Sequence, residues 1–163
     1  MPDAKWSAPV KIEIFPDAAS AARAAAVFVA AESRAAIAAR GRFVAALSGG
    51  STPWLMLCAL AREHVQWDAV QFVQVDERVA PAGDPVLDIT EADVALTGTY
   101  QGRRRMTLTY PILDRARRVL WLVAGVEKAA ALHRLQAGDA SIPAGRVRQD
   151  TALVFADRSA AQL

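Results

Sequence analysis

The sequence predicts an α/β domain with a mainly parallel sheet flanked by helices. Apolar runs of strand length alternate with segments of helical length along the chain, the pattern of parallel strands joined by crossover helices. Several strand ends carry Gly, Ser, Thr or Asp, residues that build tight turns and cap helices. An alanine-rich segment near the N-terminus would let a long helix pack closely on a sheet.

Val10 to Phe15 reads as a short first strand. Pro16 and Asp17 open an alanine-rich helix to Arg40, with Asp17 as N-cap and Gly41 as the residue that ends it. Arg42 to Leu47 follows as a strand. Thr52-Pro53 then supplies a capping hydroxyl and a proline at the first helical position, so a second helix runs to Glu63. Val70 to Val75 is an apolar strand ending at Asp76-Glu77-Arg78, and Val79 to Asp93 has the Pro, Gly and Asp content of a loop. Val94 to Tyr100 and Arg105 to Thr109 come next, with a short helix opening at Pro111. Arg118 to Ala124 is strongly β in composition and is broken by Gly125. Val126 to Ala137 forms a helix stopped by Gly138, and Ala152 to Ala156 is a last strand. No internal repeat is visible.

Composition narrows the function classes. At 163 residues the chain is long enough for one domain, spanning 1–163, and too short for two of ordinary size. Hydrophobic residues at 53% and charged residues at 22% sit in the range of soluble globular proteins and argue against a disordered or coiled-coil chain. A net charge of +2, with arginines mostly dispersed, gives no basic footprint for nucleic acid. The single cysteine, Cys58, excludes an internal disulfide and a cysteine-based metal cluster, and fits a reducing cytoplasm. The first residues, MPDAKWSAPVKIEIF, show no signal-peptide pattern, and no apolar run approaches membrane-spanning length. The expectation is a soluble, cytoplasmic protein with neither nucleic acid nor membrane as partner.

Ligands of open α/β sheets bind outside the carboxyl ends of the strands, so three such ends stand out. Ser48-Gly49-Gly50-Ser51-Thr52 lets the backbone approach a ligand and turns helix N–H groups toward it, which makes an anion cradle. Asp76-Glu77-Arg78 sets carboxylates beside a guanidinium; the arginine fork suits phosphate, and Asp76 can move protons or accept sugar hydroxyls. Gly125-Val126-Glu127-Lys128 puts Lys128 in the first turn of a helix, where the dipole disfavours a cation unless an anion is bound. Each has a plainer reading as turn chemistry, a solvated charged end or a surface lysine. Their coincidence at three strand ends favours a phosphate-bearing ligand. A P-loop is disfavoured because no Gly-Lys-Ser/Thr ends the first turn, and the three-glycine dinucleotide pattern is absent. His64 and His133 sit in surface-type or boundary settings, and Arg103, Arg104 and Arg105 precede a strand, at the opposite end from such a site.

The stretches LSGGSTP, VDERVAP, GRRRMTLTYPILDRARRVLWLVAGVEKAAAL and IPAGRV closely resemble the 6-phosphogluconolactonases, in the family's order through most of the chain. The resemblance implies a Rossmann-like fold, shortened relative to the family. It implies hydrolysis of 6-phospho-D-glucono-1,5-lactone to 6-phosphogluconate in the oxidative pentose phosphate pathway, with no metal or organic cofactor. Carried over by motif, Ser48, Gly49, Gly50, Ser51 and Thr52 would line the sugar-phosphate pocket. Arg78 and Lys128 would bind the phosphate, and Asp76 would face the sugar ring.

One departure from the family stands out. Between its Asp-Glu-Arg segment and the strand corresponding to Val94, the family carries a Gly-x-Gly-x-Asp-Gly-His block whose histidine is expected to activate the attacking water. This chain contains no Asp-Gly-His, and VDERVAPAGDP passes into PVLDITEADVALTG as if a segment were lost near Gly83 to Pro85. Neither His64 nor His133 lies in a matching motif, so neither inherits the role, and the catalytic group is unassigned beyond Asp76. Loss of a central strand would leave neighbouring strands exposed and favour self-association. The functional alternatives are a lactonase, a non-catalytic sugar-phosphate-binding domain, a sugar-phosphate isomerase or deaminase, which TLTYP and GVEKA disfavour, and an inactive paralogue.

Overall fold

The computed structural model describes residues 10–75, 91–96 and 106–162. Strand β1 (Lys11–Phe15) leads into helix α1 (Ala18–Arg40), and β2 (Phe43–Ser48) into α2 (Ser51–Leu60). A 3₁₀ turn at Trp67–Ala69 precedes β3 (Val70–Val75). Two short strands, β4 (Val94–Leu96) and β5 (Met106–Leu108), come before α3 (Tyr110–Asp114). Then β6 (Val119–Val123) passes through a 3₁₀ turn at Val126–Lys128 into α4 (Ala129–Gln136). The short α5 (Pro143–Arg146), β7 (Ala152–Asp157) and α6 (Arg158–Ala161) complete the described chain.

Pairing is parallel wherever helices connect the strands. Strand β7 lies between β1 and β6, in registers running from Lys11 opposite Leu153 to Phe15 opposite Asp157, and from Val119 opposite Ala152 to Val123 opposite Ala156. Strands β2 and β3 pair parallel, Phe43 opposite Val70 through Ser48 opposite Val75. The α/β class and its parallel pairing are as the sequence predicts, but hydrogen bonding divides the sheet. Among the described residues β2–β3 and β1–β7–β6 are separate, so β2 and β6 each keep one unpaired edge. Strands β4 and β5 pair antiparallel. A parallel partner needs a crossover of a dozen or more residues, and only residues 97–105 lie between them.

The core is built on both faces of β7. Alternate residues Ala152, Val154 and Ala156 join Leu132 and Leu135 of α4 and Ala160 of α6 on one face. Leu153 and Phe155 point to the other, where Phe155 packs with Ala22, Ala25, Ala26 and Ala30 of α1 and with Met56 and Leu60 of α2. The i, i+3, i+4, i+8 spacing of those alanines makes a smooth stripe, which lets a 23-residue helix lie close to the sheet. Phe15 and Phe28 flank Phe155 with ring centroids 5.2 and 5.9 Å away. The same cluster takes in Leu47 of β2 and Leu120 and Leu122 of β6, so α1 and α2 cover parts of both parallel sheets.

Helix α1 begins and ends where the sequence places it. Asp17 accepts the Ser20 N–H at 2.6 Å, a contact that lowers its carboxyl pKa. Gly41 closes the helix at φ 73°. Strands β2 and β3 are less well covered: Val44, Phe72 and Val73 are 51%, 41% and 46% exposed, unlike the buried β7. The stripe gives a test. Ala25→Leu adds volume at a position that is fully buried against the sheet and is expected to lower stability by about 1–3 kcal/mol in urea denaturation; an unchanged midpoint would mean that α1 does not pack as closely as described.

Candidate functional site

Parallel strands bring their carboxyl ends to one edge. On the three-stranded sheet that edge carries Asp17 after β1, Asp157 at the end of β7 and Gly125 after β6. On β2–β3 it carries Ser48 and Val75.

At the end of β2, Ser48 and Gly49 are half-buried and Gly50 turns at φ 107°, ψ 179°. That backbone region is essentially open to glycine alone. The turn lets α2 start at once, with Gly50 as N-cap and Ser51 as the first helical residue. This corrects the expected Thr52-Pro53 start: Thr52 and Pro53 are the second and third helical residues, where proline is tolerated because the helix needs no N–H from it. The N–H groups of Gly50, Ser51 and Thr52 therefore have no acceptor within the helix, and the capping residue has no side chain to offer one. Backbone donors beside the positive end of a ten-residue helix dipole are a chemical match for an anion.

The second turn is held from below. Gly125 lies at φ 93°, ψ 145°, and a Cβ there would run into the Glu127 carboxylate. Its carbonyl accepts the Lys128 N–H at 3.0 Å, closing the 3₁₀ turn, so the α-helix proper begins at Ala129 and not at Val126. Lys128 is exposed at the N-cap of α4. The Gly125 N–H donates to both carboxylate oxygens of Asp157 at 3.2 Å. Asp157, only 6% exposed, also caps α6 by accepting the Ala160 N–H at 2.7 Å. Sequence reading passed over Asp157, although an aspartate directly after a strand and before a short helix is the signal that identified Asp17 as a cap.

Asp76 and Arg78, the cluster Arg103 to Arg105 and the break near Gly83 to Pro85 lie outside the described residues. The Ser48–Thr52 turn and Lys128 stand on different sheets, and the packing of α2 with Leu120 and Leu122 of β6 is what links them. His64 and His133 are both exposed. His64 lies ahead of the N-terminal end of β3, beside an open groove of about 700 Å³ lined by Arg34, Ile37, Glu63 and Gln66. The groove is thus at the opposite end of the strands from the glycine turns. Among the described residues no group of three His, Cys, Asp or Glu side chains could hold a metal ion, and no helix is long and apolar enough to cross a membrane.

Backbone geometry separates the two glycines of the first turn. Gly49 has no positive φ, so Gly49→Ala should be mild, whereas Gly50→Ala is expected to cost about 1–3 kcal/mol in denaturant unfolding. Equal effects of the two substitutions would contradict the turn described.

The model of a family described as glucosamine-6-phosphate isomerases/6-phosphogluconolactonase matches residues 16–99 and 87–155. A 6-phosphogluconolactonase from Mesorhizobium japonicum is 35% identical over 117 residues, covering 72% of this chain and 45% of that protein. One from Rhizobium meliloti is 43% identical over 70 residues, covering 43% of this chain and 30% of that protein. The chain thus matches less than half the length of these relatives. Among solved structures, the fold is similar to a 6-phosphogluconolactonase from Shewanella baltica, with TM-score 0.71 at 16% identity, covering 91% of this chain and 97% of that one. It is equally similar to a monomeric glucosamine-6-phosphate deaminase, with TM-score 0.71 at 16% identity, covering 94% and 99%. With a Rossmann-like α/β core, glycine turns at two strand ends and a family match across most of its length, this chain belongs to the glucosamine-6-phosphate isomerase and 6-phosphogluconolactonase family.

Proposed function

We propose that this chain is a single sugar-phosphate domain of the lactonase branch, whose substrate is 6-phospho-D-glucono-1,5-lactone and whose product is 6-phosphogluconate. The observation that carries the reading is the Gly50 turn, which opens α2 with uncapped N–H groups at the carboxyl end of a parallel strand. The curated relatives support lactone over amino-sugar chemistry, since both are 6-phosphogluconolactonases. In this reading Ser48 to Thr52 line the pocket, Arg78 and Lys128 take the phosphate, and Asp76 faces the sugar ring.

The reaction adds water to the lactone carbonyl and breaks the ring C–O bond. The ring oxygen leaves as the C5 hydroxyl, and the carbonyl carbon becomes the carboxylate. Phosphate contacts hold the remote end of the substrate, so that binding energy fixes the carbonyl for attack. The weak point is proton transfer. The sequence has no Asp-Gly-His, both histidines are exposed, and neither lies in a motif that assigns it the role. Loss of a general base costs roughly 10²–10⁴-fold, and the substrate is an activated ester, so residual turnover is compatible with the sequence. The same absence favours a second reading, a non-catalytic domain that binds the sugar phosphate. The edges of β2 and β6 that have no strand partner among the described residues, and the exposed Val44, Phe72 and Val73, favour self-association in either case.

Lactone hydrolysis by the purified chain, measured against the spontaneous background at the same pH, separates these readings. A rate above background that falls in Arg78→Ala supports the lactonase; a background rate with retained 6-phosphogluconate binding supports the binding domain. Arg78→Ala and Lys128→Ala are each expected to weaken that binding by roughly tenfold or more, because each removes a charge-assisted contact. Unchanged affinity in both would overturn the phosphate site.

A further inference from the structure

We infer that Asp157 is a positioning residue, which reaches Lys128 through the backbone of Gly125 and so sets where that lysine presents its charge. The inference rests on the proposed phosphate role of Lys128 and deepens it. Strand β7 is the middle strand of its sheet and almost wholly buried, so the backbone of its last residue is fixed by neighbours on both sides. The Asp157 side chain rises from that fixed point and accepts the Gly125 N–H with both oxygens at 3.2 Å. Gly125 in turn accepts from the Lys128 N–H at 3.0 Å. Two consecutive hydrogen bonds thus run from the central strand to the residue before α4.

Such a tether matters because Gly125 occupies a backbone region that many conformations could replace. At φ 93° a glycine has little intrinsic preference and pays the largest loss of conformational freedom on being fixed. A buried carboxylate collecting backbone N–H groups supplies the restraint that the glycine lacks. Among the described residues it is paired with no lysine or arginine, and its carboxylate accepts from the backbone N–H groups of Gly125 and Ala160. Both oxygens are occupied as acceptors and the group is 6% exposed, which fits anchoring and does not fit proton transfer to a substrate.

Amide hydrogen exchange on the intact chain tests the tether without any ligand. Asp157→Ala should speed exchange at Gly125 and Lys128 by about tenfold or more. Asp157→Asn, which keeps a carbonyl oxygen as acceptor, should restore most of the protection. A double-mutant cycle with Lys128→Ala, read as 6-phosphogluconate affinity at a temperature where all variants are folded, tests the consequence. Asp157→Ala should weaken binding by about tenfold in the parent and much less once Lys128 is gone, because the two act through one contact. Unchanged exchange at Lys128, or an equal loss of affinity in both backgrounds, would overturn the inference. If exchange quickens while Lys128→Ala leaves affinity unchanged, the tether stands and the phosphate role of Lys128 is what fails.

Discussion

Burial of β7 from both sides is the constraint on which the rest of the structure depends. Its residues alternate between two helical layers, and its edges are taken by β1 and β6. A strand in that position must be apolar on both faces, and Ala-Leu-Val-Phe-Ala meets the condition with small residues toward α4 and α6 and larger ones toward α1. The alanine stripe of α1 is the complement of those larger residues. Small side chains on the helix leave room for Phe155, and Phe15 and Phe28 close around its ring.

The same strand organises the candidate site. Its carboxyl end is Asp157, and from there hydrogen bonds reach both α6 and the turn after β6. The stable layer therefore supports one of the two glycine turns directly. The other, at Gly50, stands on the two-stranded sheet and is tied to the core through Met56, Leu60 and Leu47. The contrast in burial between β7 and the β2–β3 pair has its physical counterpart in hydrogen bonding. Among the described residues β2 and β3 each have one strand partner where β7 has two, and Val44, Phe72 and Val73 are exposed.

Much of this was legible in the sequence. Asp17 and Gly41 bounded α1 correctly because a capping carboxylate and a left-handed glycine are local signals. The six-residue run Val70–Val75 was readable from its apolar content. The start of α2 was misplaced because Thr52-Pro53 satisfies the usual capping pattern, whereas the φ of 107° at Gly50 starts the helix earlier. Separation of the sheet could not be read, since each strand is parallel-type by composition and hydrogen-bond partners are a matter of three-dimensional placement. At Asp157 the capping of α6 was legible as a local signal, whereas its contact with Gly125, 32 residues away in sequence, was not.

Phosphate recognition by the strand-end turns is the central claim, and calorimetric titration with 6-phosphogluconate and with gluconate tests it most directly. The two ligands share the sugar acid and differ in the phosphate. The account predicts saturable binding of 6-phosphogluconate and binding of gluconate weaker by about tenfold or more, since gluconate forgoes the charge-assisted contacts. Equal affinity for the two, or no binding of either, would contradict it.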